Sequence, residues 1–341
     1  MRNVHLVGSV PLANRDTVFH AVAKTLGSRL KRYSDGETGP RADWVQWQRH
    51  LVVDNPKFML TSDQTLVIEH EHRGTRPYYQ IASGVDPASI VFPALGYAEH
   101  ARTSYAEFRK LRDAGVIPAG TRFLVAIPTP LTFLQVFIAA ADRAAVAAAY
   151  ERCVLDDVAA IAASIPHADL AIQWDSVFEI LVQEGVRETH IDDSKEAMLA
   201  RLQRLGESVP PGVDLGFHFC YGDMGHKHSL EPPDMSVMVE TANALSARLD
   251  RDISYIHMPV PRDRTDDAYF APLAKLALKK NTELYLGLVH MTDGEEGSRR
   301  RMAAAEKVRS DFGIGTECGF GRRAPETIVP LLELHGRLAG R

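Results

Sequence analysis

The 341-residue sequence has few cysteines and no long uninterrupted apolar segment. Its three cysteines, Cys153, Cys220 and Cys318, are too few to hold a chain of this length in a disulfide framework. The longest apolar stretch, residues 123–141, is interrupted by two prolines and by polar side chains, which disfavours a membrane span. The chain begins with too short an apolar run for a signal peptide. We therefore expect a cytoplasmic protein with no membrane partner.

The sequence also lacks an excess of positive charge. It has 39 lysines and arginines against 44 aspartates and glutamates, and the two signs are interspersed. Without a basic stripe, neither a nucleic acid nor an anionic membrane is an expected partner. The glycines at Gly8 and Gly36 do not have the full spacing of a dinucleotide-binding or P-loop motif. Hydrophobic residues make up 45% and charged residues 24%, which is typical of a folded chain with a large core.

Short β-rich runs alternate with longer helical patterns along the whole chain. The runs that predict strands are 3–9, 30–34, 122–127, 170–175, 214–220, 253–258, 283–290 and 313–317. Apolar spacings of three and four predict helices, among them 139–165, 235–249, 295–310 and 325–338. Eight strands alternating with helices predict an α/β fold, a closed (β/α)8 TIM barrel formed by residues 1–341 as a single domain.

One connection is too long for an ordinary barrel loop, because roughly 85 residues separate the second predicted strand from the third. Within it, residues 65–81 predict a β-hairpin with its turn at Arg73 and Gly74, and residues 98–114 predict a helix. We therefore expect an insertion over approximately 53–118. Insertions at the carboxyl end of a barrel lie above the active site, so a lid or substrate-specificity element is expected here.

Potential metal ligands lie where two predicted strands end. His218 and Cys220 are two residues apart, which places both side chains on the same side of a strand. Cys318 follows the last strand and should reach the same end of the barrel. One imidazole and two thiolates are a zinc donor set that leaves a position open for substrate. Each residue alone is more often part of a core, as we expect for Cys153 in its alanine-rich helix.

Acidic side chains follow other predicted strands. Asp35 and Glu37 come after the second strand, and Asp175 ends the fourth. An isolated acid is more often a helix cap or an ion-pair partner, but several acids converging on one barrel mouth favour a substrate site. His226 and His228 form a His-x-His pair in a loop, where contact with solvent or substrate is expected rather than metal binding.

The His-x-Cys at one strand end and the Cys-Gly at the last resemble the catalytic barrel of cobalamin-independent methionine synthase. The resemblance is remote but extends over most of the chain, from residue 5 to residue 323. It implies that His218, Cys220 and Cys318 bind Zn²⁺.

The same resemblance implies a substrate site. Ser9 matches a serine that contacts the thiol substrate, and Glu37 and Asp175 match acids that hold its amino-acid part. Asp175 is also a candidate catalytic residue. Thr132 matches a substrate-binding threonine, and a folate methyl donor is implied as a co-substrate, although Val136 stands where the family has an aromatic residue that stacks on the pterin.

The sequence departs from the family at two further positions. The family's glutamate zinc ligand aligns with His257, and Glu240 is a less favoured alternative because it falls in a helix; water is a third possibility. The family's acid histidine is replaced by Thr292, with His290 and Asp293 nearby as candidate catalytic residues.

The sequence thus predicts a zinc-dependent methyl or alkyl transferase whose partners are a small-molecule thiol and an alkyl donor. One alternative keeps the barrel but changes the reaction, as in other thiol-alkyl transferases or uroporphyrinogen decarboxylase-like enzymes. Another is a non-catalytic protein that binds zinc or a small molecule.

Overall fold

The computed structural model describes residues 1–69, 72–222 and 228–340, and only the backbone of 63–69 and 72–76. His226, one member of the His-x-His pair, lies outside the described residues. In the part of the chain that is described, no helix combines the length and the hydropathy needed to span a membrane.

Seven parallel strands make up the main sheet, and two further strands form a separate hairpin. In chain order they are β1 Arg32–Ser34, β2 Phe58–Glu69, β3 His72–Ile81, β4 Arg122–Pro128, β5 Leu170–Ser176, β6 Asp214–Phe219, β7 Tyr255–Pro259, β8 Glu283–Val289 and β9 Gly313–Thr316. The order in the main sheet is β1-β4-β5-β6-β7-β8-β9, and the hairpin pairs β2 with β3. Each strand of the main sheet is thus paired with its successor, as barrel topology requires.

The segment around Val4 joins the two edges of the main sheet. Val4 forms parallel bridges with Leu30, just before β1, and with Ile314 in β9. The amide of His5 donates to the carbonyl of Ile314 at 2.9 Å. The α/β fold class and the TIM-type barrel are therefore confirmed, with the first predicted strand, 3–9, reduced to a bridge.

Helices pack around this sheet and cover its outer face. The α-helices of the described residues are α1 Arg15–Thr25, α2 His50–Val53, α3 Tyr97–Asp113, α4 Pro130–Phe137, α5 Arg143–Ser164, α6 Phe178–Gln183, α7 Lys195–Ser208, α8 Ser236–Arg248, α9 Asp267–Phe270, α10 Gly294–Glu306 and α11 Ile328–Leu338. Shorter 3-10 segments are Gly27–Arg29, Gly39–Arg49, Pro87–Ser89, Ala140–Asp142, His167–Asp169, Ala271–Lys275 and Pro325–Thr327.

Every residue of β5 is buried, because a parallel strand has side chains of the barrel interior on one face and helices on the other.

The insertion between β1 and β4 contains the predicted hairpin and the predicted helix, the latter as α3. The predicted turn at Arg73 and Gly74 is wrong, because these residues pair with Ile68 and Val67 inside the antiparallel ladder. Gly74 thus lies in a strand, and residues 70 and 71 are outside the described residues.

Candidate metal and substrate site

A cavity of about 310 Å³ lies at the carboxyl ends of the parallel strands. Side chains from several strand ends reach it, as expected for the functional face of a barrel. The predicted site residues that line it are Ser9, Glu37, Asp175, His218, Cys220 and Cys318. The structure therefore brings three of the four expected metal ligands and three of the four expected substrate-binding residues into one cavity.

Three of the expected ligands form a compact group. His218 lies near the end of β6, Cys220 follows that strand, and Cys318 follows β9. One ligand atom from each lies within 4.8 Å of the others. The two Sγ atoms are 3.9 Å apart, too far for a disulfide bond. Two sulfurs bound to one tetrahedral zinc are about 3.8 Å apart, so this donor set fits a zinc ion.

The imidazole of His218 has one nitrogen available to a metal. Its Nδ1 lies 2.8 Å from Nδ1 of His257. Its Nε2 is buried and has no hydrogen-bond partner among the described residues. Burial holds the pKa of His218 well below its ordinary value, and the neighbouring His257 lowers it further. The ring is therefore neutral at physiological pH, as metal coordination requires.

The two expected candidates for a fourth ligand, His257 and Glu240, are not part of this group of three. His257, on β7, is the register partner of His218 and is outside the group of three. Burial lowers the pKa of His257 to about 3, so this imidazole is also neutral. Glu240 is exposed on α8, where its carboxylate pairs with Lys195 at 2.5 Å. The structure thus places His257 beside His218 and puts Glu240 on the outside of the barrel.

The loop after β1 holds Glu37 in the cavity. Glu37 has a φ of 52° and follows Gly36, which has a φ of 75°. A side chain on Gly36 would also come within 2.8 Å of Val18. The carboxylate of Asp35 accepts a hydrogen bond from the Glu37 amide at 3.0 Å. This tight turn fixes the direction of the Glu37 side chain.

Two carboxyl groups with raised pKa values meet in the cavity. Burial, followed by the charge of Asp175, raises the pKa of Glu37 to about 8. Burial raises the pKa of Asp175 to about 7, although hydrogen bonds with Gln173 and Trp44 oppose the shift. The Gln173 amide donates to Asp175 at 2.9 Å. Neither acid forms an ion pair within the described part of the chain, so a cationic substrate group would stabilise both.

Ser9 and Asp35 have different places around this cavity. Ser9 lines it, and its backbone carbonyl accepts from Phe320 at 2.8 Å, which ties the first segment to the loop that carries Cys318. Asp35 is buried instead against Arg41 and Ser104 and supports the loop that presents Glu37.

Three other predicted site residues are not among the described residues that line the cavity. Thr132 is fully buried in α4. His290 bonds through Nε2 to the carbonyl of Val260 at 2.8 Å, and burial lowers its pKa to about 4. Asp293 is held by Arg301 at 2.6 Å. The structure therefore buries Thr132 and pairs His290 and Asp293 with other parts of the barrel, away from the cavity lining.

Several cavity residues were missed by the sequence reasoning. They are Trp44, Tyr78, Gln135 and Arg187. Trp44 adopts a φ of 49° at a kink in the 3-10 segment, a conformation that non-glycine residues rarely adopt. Arg187 is exposed at the cavity. No local motif identifies these residues, because their positions depend on how the insertion and loops pack on the barrel.

Neither protein-family models nor curated protein sequences match this chain. Solved structures match its fold. A B12-independent methionine synthase from Shewanella sp. W3-18-1, in complex with selenomethionine, gives a TM-score of 0.58 at 16% identity, covering 99% of this chain and 96% of its own. A candidate vitamin-B12-independent methionine synthase from Listeria monocytogenes gives 0.53 at 15% identity, with coverages of 95% and 86%. A methyltransferase from Methanosarcina mazei gives 0.50 at 9% identity, with coverages of 97% and 94%. These similarities show a shared fold.

Proposed function

We propose that this chain is a zinc-dependent transferase that moves a methyl or related alkyl group to a small-molecule thiol. The observation that carries the proposal is the group of His218, Cys220 and Cys318 in the same cavity as two carboxyl groups. The names of the structures with the same fold support the reaction class. Selenomethionine, named in one of them, is the selenium analogue of the product formed by methylating homocysteine.

The metal ligands in this proposal are the neutral imidazole of His218 and the thiolates of Cys220 and Cys318. Bound zinc would lower the pKa of a coordinated substrate thiol, so that the thiol reacts as a thiolate at neutral pH. The protein contributes two soft sulfur donors that favour zinc over magnesium or calcium. The described residues contribute three ligands rather than four, which leaves one position for the substrate.

The acids orient the thiol substrate. Glu37 and Asp175 would receive an ammonium group, which neutralises two carboxylates that are otherwise costly to ionise in the cavity. Ser9 lies close to the Cys318 loop and would contact the same substrate. Fixing the polar end of the substrate directs its sulfur toward the metal ligands, which is the proximity contribution to the rate.

The remaining wall suits an alkyl donor. Val136, Val177, Phe178 and Leu181 give the cavity an apolar side that excludes water from a displacement at carbon. Arg187 adds an exposed positive charge that would attract an anionic part of the donor. A methylated folate, which carries carboxylates, is therefore the first donor to test.

The test is zinc-dependent alkylation of a thiol. Zinc-loaded protein is incubated with homocysteine and a panel of methyl donors that includes methylated folate, and the S-methylated product is measured by mass spectrometry. We expect product from the wild type and from Cys153→Ser, whose sulfur lies in α5 near the Phe92 carbonyl. Cys318→Ser should give none. Tight binding of homocysteine without alkylation by any donor would contradict the proposal and indicate a binding protein.

A further inference from the structure

Two buried histidines meet on neighbouring strands beside the metal-ligand group. His218 of β6 and His257 of β7 are register partners, so their side chains project to the same side of the sheet. Their Nδ1 atoms are 2.8 Å apart, and their ring centroids are 4.9 Å apart. A hydrogen bond between two ring nitrogens needs a proton on one and a lone pair on the other.

Coordination of a metal by His218 would determine which nitrogen of this ring carries the proton. The Nδ1 of His218 is occupied by His257, and its buried Nε2 has no partner among the described residues. Nε2 is therefore the nitrogen available as a ligand, and it must be unprotonated. The proton of the neutral ring is then on Nδ1, which donates to Nδ1 of His257. The opposite arrangement would protonate Nε2 and remove the ligand.

The surroundings of His257 do not favour direct coordination by this residue. Its Nδ1 already faces His218, and it lies outside the compact group of ligand atoms. Its Nε2 lies against Gly315 of β9, where an added Cβ would approach within 3.2 Å. This Nε2 is also without a hydrogen-bond partner among the described residues, but it lies beside β9 and His257 is not part of the compact group of ligand atoms.

We infer that His257 is a positioning residue, which fixes the tautomer and orientation of His218 and is not itself a metal ligand. This inference deepens the proposed function and rests on zinc binding at the three-residue group. It assigns the acceptor role that carboxylates or carbonyls usually have behind a ligating histidine to a second imidazole.

The first measurement is zinc affinity, determined by competition with a chelator. His257→Leu removes the acceptor and should weaken zinc binding by about 10–100-fold, the usual effect of losing such a partner. His257→Gln keeps an acceptor oxygen and should recover part of that loss. His335→Leu is the matched control, because His335 is a fully buried histidine in α11, and it should leave zinc affinity unchanged.

The second measurement identifies the ligands. X-ray absorption at the zinc edge should show two sulfurs and one imidazole in the wild type and in both His257 variants. Nitrogen-15 NMR of the zinc protein should show the His218 proton on Nδ1. Loss of an imidazole ligand in His257→Leu, or wild-type affinity in that variant, would overturn the inference. Absence of zinc binding in the wild type would instead overturn the proposed function, and the inference with it.

Discussion

Buried charged side chains are paired at the amino end of the barrel strands, whereas several in the cavity at the carboxyl end are not, in the part of the chain that the structure describes. At the amino end of the strands, Arg32 pairs with Asp214 at 2.7 Å and with Glu283 at 2.9 Å, and its guanidinium lies 4.3 Å from the ring centre of Tyr255. Burial acts to lower the pKa of Arg32, but Asp214 and its other neighbours raise it above its ordinary value. The pKa of Glu283 is lowered, because Arg32 and Lys31 outweigh the effect of burial.

At the carboxyl end, three polar groups of the cavity lack such partners among the described residues. Glu37 and Asp175 have raised pKa values and no ion pairs within the described residues, and the Nε2 of His218 lacks a hydrogen bond there. The contrast indicates that the amino end contributes stability, whereas the carboxyl end retains groups that a ligand would satisfy. Substitutions at the two ends should therefore have separable effects on stability and on binding.

The largest expected effect is on metal binding. Replacing both Cys220 and Cys318 by Ser removes the two soft donors and should abolish stoichiometric zinc binding, a loss of at least about 100-fold in affinity. Metal analysis of purified protein measures this effect, with Cys153→Ser as the control. Retention of one zinc per chain in the double variant would contradict the site.

Arg32→Met tests the opposite end. It removes a buried cation shared by Asp214 and Glu283, which keep only the more exposed Arg122 and Lys31, and should lower the free energy of unfolding by about 3 kcal/mol. Zinc content should not change. Lys31→Met is the matched control, because it removes an exposed partner of the same Glu283 and should cost no more than about 1 kcal/mol. Equal losses from both variants, measured by urea denaturation, would show that the buried Arg32 contributes no more to stability than an exposed lysine.

Glu37→Gln should stabilise the fold while weakening substrate binding. The pKa of Glu37 rises from its ordinary 4.5 to about 8, so the folded state binds more protons than the unfolded state between these values. The free energy of unfolding of the wild type therefore falls as pH rises through that window. The variant has no carboxyl group at this position, so its free energy of unfolding should not fall for this reason. Urea denaturation should show an advantage for the variant that is roughly 3–4 kcal/mol larger at pH 8 than at pH 5, at about 1.4 kcal/mol for each pH unit of the window.

The same variant separates stability from binding. Affinity for homocysteine should fall by about tenfold, because a hydrogen bond with a charged group is lost. A thiol of the same length without an amino group is the matched ligand, and its affinity should not fall. Equal losses for both thiols, measured by calorimetry, would show that Glu37 does not contact an ammonium group.

The smallest effect is expected at the cavity rim. Arg187→Ala removes an exposed charge and should change the free energy of unfolding by no more than about 0.5 kcal/mol. The KM for an anionic donor should rise by up to about fivefold, since exposed ion pairs contribute at most about 1 kcal/mol. An equal rise for an uncharged donor would argue against an electrostatic role.

The barrel and the group of His218, Cys220 and Cys318 could be predicted from sequence because both depend on local patterns. Alternating strands and helices indicated the barrel, and the two-residue spacing of His218 and Cys220 placed their side chains on one face. Cys318 followed from the rule that parallel strands end on the same side.

Other parts of the site depend on packing between distant segments. Trp44 reaches Asp175 only because the chain kinks at a positive φ. Thr132, His290 and Asp293 have suitable chemistry near strand ends, but they are buried or held by structural partners. The role of His257 could not be read from its alignment with a ligand position, because its Nδ1 faces His218 rather than the open side of the group.

We propose that a substrate thiol binds zinc at the group formed by His218, Cys220 and Cys318. X-ray absorption of the zinc-loaded protein, before and after addition of homocysteine, measures this coordination. We predict two sulfurs and one imidazole at the zinc before addition, and three sulfurs and one imidazole afterwards. A sulfur count that stays at two in the presence of saturating homocysteine would show that the thiol does not bind the zinc.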